Sequence, residues 1–243
     1  MPLWSTWLEQ RPYDLVVVLV IVLLVVSAYG RTGQQKTSKI LLASNWAVII
    51  LLVLSLQPIY MFVDPLLGGR NFVNLLQRIA LNAAGFGVTV SLTRMTRAYF
   101  QEEIKPLCAH WIWLPISVIG LGVSFVLMGA NYGTSRGLDD YSSHLIAYPA
   151  YQFFSLLGLM IGVPYLVPRL YKIVKTTTLQ KRRLQTSLFL VSYALSPLTI
   201  LCYLLTPVSG VFVATREFCV YATFIALTAA FMLAMQDRKS LSA

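Results

Sequence analysis

Three polar residues spaced four apart are the part of this 243-residue sequence best suited to bind a ligand: Asn74, Arg78 and Asn82. Because residues four apart share one face of a helix, their side chains form a stripe, which Gly85 and Thr89 extend within an arc of about 100°. Amide and guanidinium groups are costly in hydrocarbon, so the stripe must face the interior of a helical bundle or a water-filled space. We therefore predict an intramembrane polar path along these residues.

The positive charge of Arg78 needs a counterpart, because a charged side chain inside an apolar helix marks a functional site by default. Asp64 and Glu217 are the nearest acids by expected depth and are the candidate ion-pair partners. Two interpretations stay open. Either the stripe contacts a ligand, in which case Arg78 suits an anion, or it only holds neighbouring helices together, with Arg78 reaching outward along its own stem. Asn45 and Gln57 are further polar candidates.

The composition and the remaining motifs exclude several classes of protein. Hydrophobic residues make up 57% of the chain and charged residues 12%, whereas a soluble domain carries about 25% charged residues. There is no Gly-x-Ser-x-Gly and no P-loop motif, and the three cysteines lack the spacing of zinc ligands. His110 and His144 fall on opposite sides of the expected bundle. We therefore predict no enzymatic activity, no cofactor, no metal site and no binding of nucleic acid.

The stripe lies in one of several apolar segments that are long enough to cross a bilayer. A membrane-spanning helix needs about 17–25 residues. The sequence predicts an all-α membrane protein whose single domain, 1–243, is a bundle of seven transmembrane helices. Prolines lie in four of the spans and are expected to kink them: Pro58, Pro115, Pro164 and Pro197. The predicted spans are about 13–29, 40–63, 72–93, 111–130, 145–167, 184–206 and 211–235.

Orientation follows from the basic residues, which alternate loop by loop. Fourteen of the 19 lysines and arginines lie in the tail and in the loops after the first, third and fifth spans, and four lie in the alternate loops. Since cytoplasmic loops are enriched in lysine and arginine, the N-terminus should be outside and the C-terminus in the cytoplasm. The expected location is the plasma membrane, crossed several times.

The loop after the fifth span carries a basic surface that should face the cytoplasm. Its expected partners are anionic lipids at the inner face of the bilayer. A cytoplasmic regulatory protein docked on the same residues is the alternative. The surface comprises Arg169, Lys172, Lys175, Lys181, Arg182 and Arg183.

The segment LQPIYMFVDPLLGGRNFVNLL, residues 56–76, resembles a seven-helix integral membrane family of actinobacteria with a Pro-x-Tyr pair before an Asp, a Gly and an Asn-containing step into the third helix. The counterparts in this sequence are Pro58, Tyr60, Asp64, Gly68 or Gly69, and Asn71. Members of that family are of unknown function, are described at most as candidate transporters, and are often encoded beside helix-turn-helix regulators. The resemblance implies the seven-helix topology and carries over no catalytic or binding residue.

Two functions of different classes fit this sequence. The first is a transporter of a small solute or ion, with the polar path at Asn74, Arg78 and Asn82. The alternative is a membrane sensor or regulatory component that binds a ligand or partner outside and signals to a cytoplasmic partner through the basic surface. A purely structural subunit with a fully packed interior is a third hypothesis.

Overall fold

A computed structural model describes residues 39–102, 112–129, 146–205 and 211–236, together with 17, 18, 20–22, 24 and 25 of the first predicted span. All regular secondary structure in these residues is α-helical, so the all-α part of the predicted fold class is confirmed for the described part of the chain. The helices are α1 (Lys39–Ser55), α2 (Gln57–Leu66), α3 (Phe72–Tyr99), α4 (Trp113–Leu127), α5 (Ala147–Met160), α6 (Val163–Thr176), α7 (Gln180–Leu205) and α8 (Val211–Gln236).

Helix α4 runs antiparallel to α3, and α7 runs antiparallel to α5. Phe125, near the end of α4, stacks on Phe72 at the start of α3, with 6.2 Å between ring centroids. Tyr203, near the end of α7, packs edge-on against Tyr148 near the start of α5, at 5.9 Å. The basic residues of the predicted surface, on α6 and the start of α7, therefore gather at the end of the bundle where α3 finishes.

The turn from α2 into α3 is fixed by Asp64, whose side chain is fully buried. Its carboxylate accepts hydrogen bonds from the backbone N–H groups of Asn71 (3.1 Å) and Val73 (3.2 Å). The hydroxyl of Tyr60 donates to the side-chain oxygen of Asn71 at 3.0 Å. These bonds satisfy N–H groups that the first turn of a helix leaves without partners, and so determine where α3 begins. We call this the Asp64 end of the bundle and the opposite one the Glu102 end.

Several helices have the length and composition of membrane spans. Within the described residues, α3 and α7 are each long and apolar enough to cross a bilayer. The total is four if each bent pair counts as one span: α1 with α2, bent by 89°, and α5 with α6, bent by 44°. Helix α4 and the Phe218–Ala230 part of α8 are apolar but shorter. The chain therefore has the character of a membrane protein, whereas seven spans and their orientation stay predictions.

Two of the four predicted proline kinks coincide with the breaks between paired helices. Pro58 lies in the first turn of α2 and Pro164 in the first turn of α6. Proline lacks a backbone N–H and its ring clashes with the carbonyl four residues earlier, so a helix is interrupted just before it. Pro115 lies at the beginning of α4, and α7 continues through Pro197 as one helix.

Helix α3 is the centre of the described bundle and packs against α1, α4, α5 and α6. Its surroundings make up the largest cluster of buried apolar side chains, which also takes in α7 and α8. The polar stripe of α3 is therefore surrounded by other helices. The buried members of the cluster are Val88, Leu92, Leu159, Leu166, Leu170, Phe189, Tyr193 and Ala230.

Candidate functional site

The stripe on α3 begins near the Asp64 end with Asn74 and Arg78. The buried side-chain oxygen of Asn74 accepts a hydrogen bond of 2.9 Å from the hydroxyl of Tyr151 on α5. Arg78 is half-buried, and its positive charge interacts electrostatically with the side chain of Tyr151. The bond between Asn74 and Tyr151 thus joins α3 to α5, and Asn74 is buried in the bundle interior, as the stripe predicts. The pairing of Arg78 with Asp64 or Glu217 stays a prediction, and the side chain of Glu217 lies outside the described residues.

A second arginine, Arg216 on α8, reaches the same part of α5. It is 6% exposed and donates a hydrogen bond of 3.5 Å to the hydroxyl of Tyr148. Its guanidinium carbon also lies 5.0 Å from the centre of the Tyr203 ring, which is cation–π distance. The burial of this residue cannot be predicted from the sequence, because an arginine near the end of a span is ordinarily a loop charge. Two guanidinium groups, from α3 and α8, therefore approach α5 near the Asp64 end.

Asn82, farther along the stripe, uses both ends of its buried amide to bind other helices. Its nitrogen donates to the hydroxyl of Ser117 on α4. Its oxygen accepts the backbone N–H of Gly158 on α5 at 2.8 Å. In this conformation Asn82 therefore holds three helices together, which is the packing role that the sequence left open as an alternative to ligand contact.

The backbone carbonyl of Gly158 is also bound by α3. The hydroxyl of Thr89 donates to it at 2.7 Å and lies equally close to the hydroxyl of Tyr193 on α7. The hydrogen-bond pattern of the helix changes at this point. The N–H of Gly162 donates to the carbonyl of Leu159, three residues earlier, and not to that of Gly158, four residues earlier. The carbonyl of Gly158 therefore accepts its hydrogen bond from the side chain of Thr89 on α3.

Glycine is required where α5 meets α3. A Cβ atom on Gly158 would lie 2.4 Å from the backbone oxygen of Asn82, and one on Gly162 would lie 2.8 Å from side-chain carbons of Thr89 and Tyr193. The four-residue spacing of the two glycines is a known signal for close helix packing in membranes, so this contact was predictable from the sequence. We call Asn82, Thr89, Gly158, Gly162 and Tyr193 the broken-helix junction.

Two cavities adjoin this junction, each with a volume of about 30 Å³. The first lies between α1, α3, α5 and α8 and is lined by Asn45 among mostly apolar side chains. The second lies between α3, α5, α7 and α8 and is lined by Thr223, among others. Asn45 is 1% exposed, and its two amide atoms have no hydrogen-bond partner among the described residues. An unsatisfied buried polar group costs about 1–3 kcal/mol, so Asn45 needs an explanation.

At the Glu102 end, an ion pair connects the end of α3 to α6. Arg169 lies 3.0 Å from a carboxylate oxygen of Glu102, and the hydroxyl of Tyr165 donates to the same carboxylate at 3.3 Å. Arg97 donates to Tyr165 at 3.3 Å, and the guanidinium of Arg169 stacks 3.8 Å from the ring centre of Tyr165. The hydrogen bond from Arg169 is the main reason that the pKa of Glu102 is lowered.

The rest of the predicted basic surface extends from this ion pair over α6 and the start of α7. Lys175 lies 4.6 Å from the ring centre of Tyr171, and Arg182 lies 5.8 Å from that of Tyr99. The other members line the same end of the bundle, half-buried or exposed: Lys172, Lys181 and Arg183. The six basic residues therefore lie on one surface, of which Arg169 is engaged with Glu102.

The chain matches no protein-family profile, no curated protein and no solved structure. The resemblance to the actinobacterial seven-helix family therefore stays a prediction. No group of three or more His, Cys, Asp or Glu side chains that could hold a metal ion occurs among the described residues. Inferences about function accordingly rest on the geometry of the broken-helix junction, the cavities beside it and the two arginines.

The close contact at Gly158 predicts that Gly158→Ala destabilises the protein. The added methyl group meets backbone atoms of α3, which have little room to shift, and such overpacking costs about 1–3 kcal/mol. Thermal unfolding of the detergent-purified protein measures the effect. Gly122→Ala on α4 is the matched control, because a Cβ atom there meets nothing within 4 Å. Equal melting temperatures for the two variants would contradict the junction.

Proposed function

We propose that this chain is a plasma-membrane transporter of small solutes, with seven membrane-spanning helices, the N-terminus outside and the C-terminus in the cytoplasm. Under this proposal the Asp64 end faces outward and the Glu102 end faces the cytoplasm. The basic surface then lies where anionic lipids of the inner leaflet attract lysine and arginine. The two arginines near the Asp64 end, Arg78 and Arg216, would face solute that enters from outside.

The observation that carries the transport proposal is the break between α5 and α6. This bend of 44° lies within a predicted span, and side chains of α3 bind both backbone polar groups of Gly158 just before it. Irregular backbone at membrane depth is tolerated only where it is buried in protein or lines a cavity. Transporters use such discontinuous helices at their binding sites and as moving parts. The two cavities beside the break support the same function.

The mechanism follows from the position of Leu159. This residue belongs to the last turn of α5, immediately before the break, and lines both cavities. A change in the angle between α5 and α6 would shift Leu159 and alter the access to each cavity. Helix α3, whose start is held by Asp64, would be the rigid element against which the broken helix moves.

The proposed orientation predicts labelling of single cysteines from opposite faces of the membrane. In a background with Cys108, Cys202 and Cys219 replaced by alanine, Thr178→Cys between α6 and α7 should react with a membrane-impermeant maleimide only from the cytoplasmic side. Arg70→Cys, at the exposed turn before α3, should react only from outside. Inside-out and right-side-out vesicles provide the two faces. Reaction of both cysteines from one face would refute the topology.

The transport proposal predicts that a cysteine lining both cavities is reached from both faces of the membrane. We choose Leu227→Cys on α8, in the same cysteine-free background, and a small uncharged methanethiosulfonate reagent, with an impermeant thiol scavenger on the opposite side of the membrane. Because transport exposes the path to each side in turn, the cysteine should react in both vesicle orientations. The matched control is Ile225→Cys, two residues away, whose parent side chain is 57% exposed on the outer surface of the bundle. In lipid it should not react.

The same experiment separates the transporter from the sensor. A sensor that binds a ligand outside and signals through the basic surface needs access from one face only. Reaction of Leu227→Cys from the outside alone would therefore contradict transport and favour the sensor. Absence of reaction from either face, with the variant correctly inserted, would contradict transport and favour a structural subunit.

A further inference from the structure

The two cavities beside the broken-helix junction share one wall. Leu81 of α3, Leu159 of α5 and Leu227 of α8 line both of them. Polar residues differ between the two cavities: Asn45 and Thr228 line the first, and Ser196, Thr199 and Thr223 line the second. The two cavities are therefore adjacent, and we call the three leucines that they share the partition.

The polar residues point to a ligand that forms hydrogen bonds. The side chains of Asn45 and Thr223 are both buried. Among the described residues, the two amide atoms of Asn45 and the hydroxyl of Thr223 have no hydrogen-bond partner. Native proteins rarely leave such groups unsatisfied, and a bound molecule is a usual explanation. Each cavity, at about 30 Å³, exceeds the roughly 10–15 Å³ that one water molecule requires.

The linings also indicate the charge of the ligand. Apart from Asn45, Thr223, Thr228, Ser196 and Thr199, the residues that line the two cavities are apolar or glycine, and none is charged. An ion in such surroundings would lose its hydration without a counter-charge, which is far more costly than the transfer of a neutral molecule. The cavities therefore suit an uncharged molecule with donors and acceptors of its own.

We propose that the two cavities are adjacent chambers of one passage for water and uncharged hydrogen-bonding molecules of similar size, gated by the partition of Leu81, Leu159 and Leu227. Asn45 holds the permeating molecule in the first chamber and Thr223 in the second. The partition excludes ions, because its leucine side chains cannot replace their hydration shell, whereas water crosses it whenever it is wetted. This inference rests on the proposed transport function and names its substrate class.

The test is the osmotic water permeability of proteoliposomes, measured by stopped-flow light scattering after a sucrose jump. Wild-type vesicles should shrink faster than vesicles without protein. Leu81→Ala widens the partition and should raise the protein-dependent rate several-fold. Leu198→Ala, on the exposed surface of α7, makes the same change outside the cavities and should leave the rate unchanged. Chloride flux into the same vesicles, followed with an entrapped dye, should stay at the level of protein-free vesicles.

A second variant guards against misfolding of Leu81→Ala. Asn45→Leu keeps the approximate size of the side chain and removes a buried amide that has no protein partner, so the protein should fold at least as well as the wild type. Its water permeability should fall towards that of protein-free vesicles. Unchanged permeability in Asn45→Leu, or a chloride flux in Leu81→Ala, would overturn the passage.

The outcomes also separate this inference from the transport proposal. If Leu227→Cys is accessible from both faces while no variant alters water permeability, the passage is wrong and transport stands. If the cysteine is inaccessible and water permeability equals that of protein-free vesicles, both are wrong. Two-sided access together with the expected changes in Leu81→Ala and Asn45→Leu supports both.

Discussion

A helix that breaks inside an apolar bundle leaves backbone groups that water does not reach, and these groups must find partners within the protein. In this chain α5 ends at Met160, and the N–H of Gly162 donates to Leu159, so the carbonyl of Gly158 accepts the hydroxyl of Thr89 instead; the N–H of Gly158 donates to the amide oxygen of Asn82. The contact is possible only because Gly158 has no side chain. This one arrangement connects α3 to α4, α5 and α7, since Asn82 also binds Ser117 of α4 and Thr89 also meets Tyr193 of α7.

The same arrangement explains how a small bundle can be both firmly held and able to move. At one end of α3, the buried carboxylate of Asp64 fixes the first turn, and at the other, Glu102 is paired with Arg169. The break between α5 and α6 lies beside the middle of α3, between these two fixed ends. Fewer helical hydrogen bonds oppose bending at the break. Leu159 lies beside it and forms part of the wall between the two cavities. In the proposed mechanism, bending at the break is therefore linked directly to the partition.

Sequence reasoning reached the all-helical fold and the inward face of α3, because periodicity and the cost of polar groups in hydrocarbon depend on the chain alone. Asn74 and Asn82 are buried for that reason. The partners of Asn74 and Asn82 were not predictable, because Tyr151, Ser117 and Gly158 belong to other helices. Their contacts with α3 depend on how those helices are positioned along it.

Two features of the structure were predictable from short segments of the sequence: the close helix contact at the two glycines beside the break and the sharp bend before α2. The spacing of Gly158 and Gly162 marks a close helix contact, and Pro58 begins a helix at nearly a right angle to α1. The burial of Arg216 had no such signal, since its position near the end of a span is equally typical of a loop residue.

The central claim is that polar side chains of α3 hold the neighbouring helices around the break in place, and a double-mutant cycle tests it most directly. Thr89→Val and Tyr193→Phe each remove one hydroxyl of the 2.7 Å pair with little change in shape. The free energy of unfolding in bicelles, measured for the wild type, both single variants and the double variant, gives the coupling. The account predicts a coupling of about 0.6 kcal/mol or more, the average for hydrogen bonds between membrane helices. Strictly additive losses would contradict it.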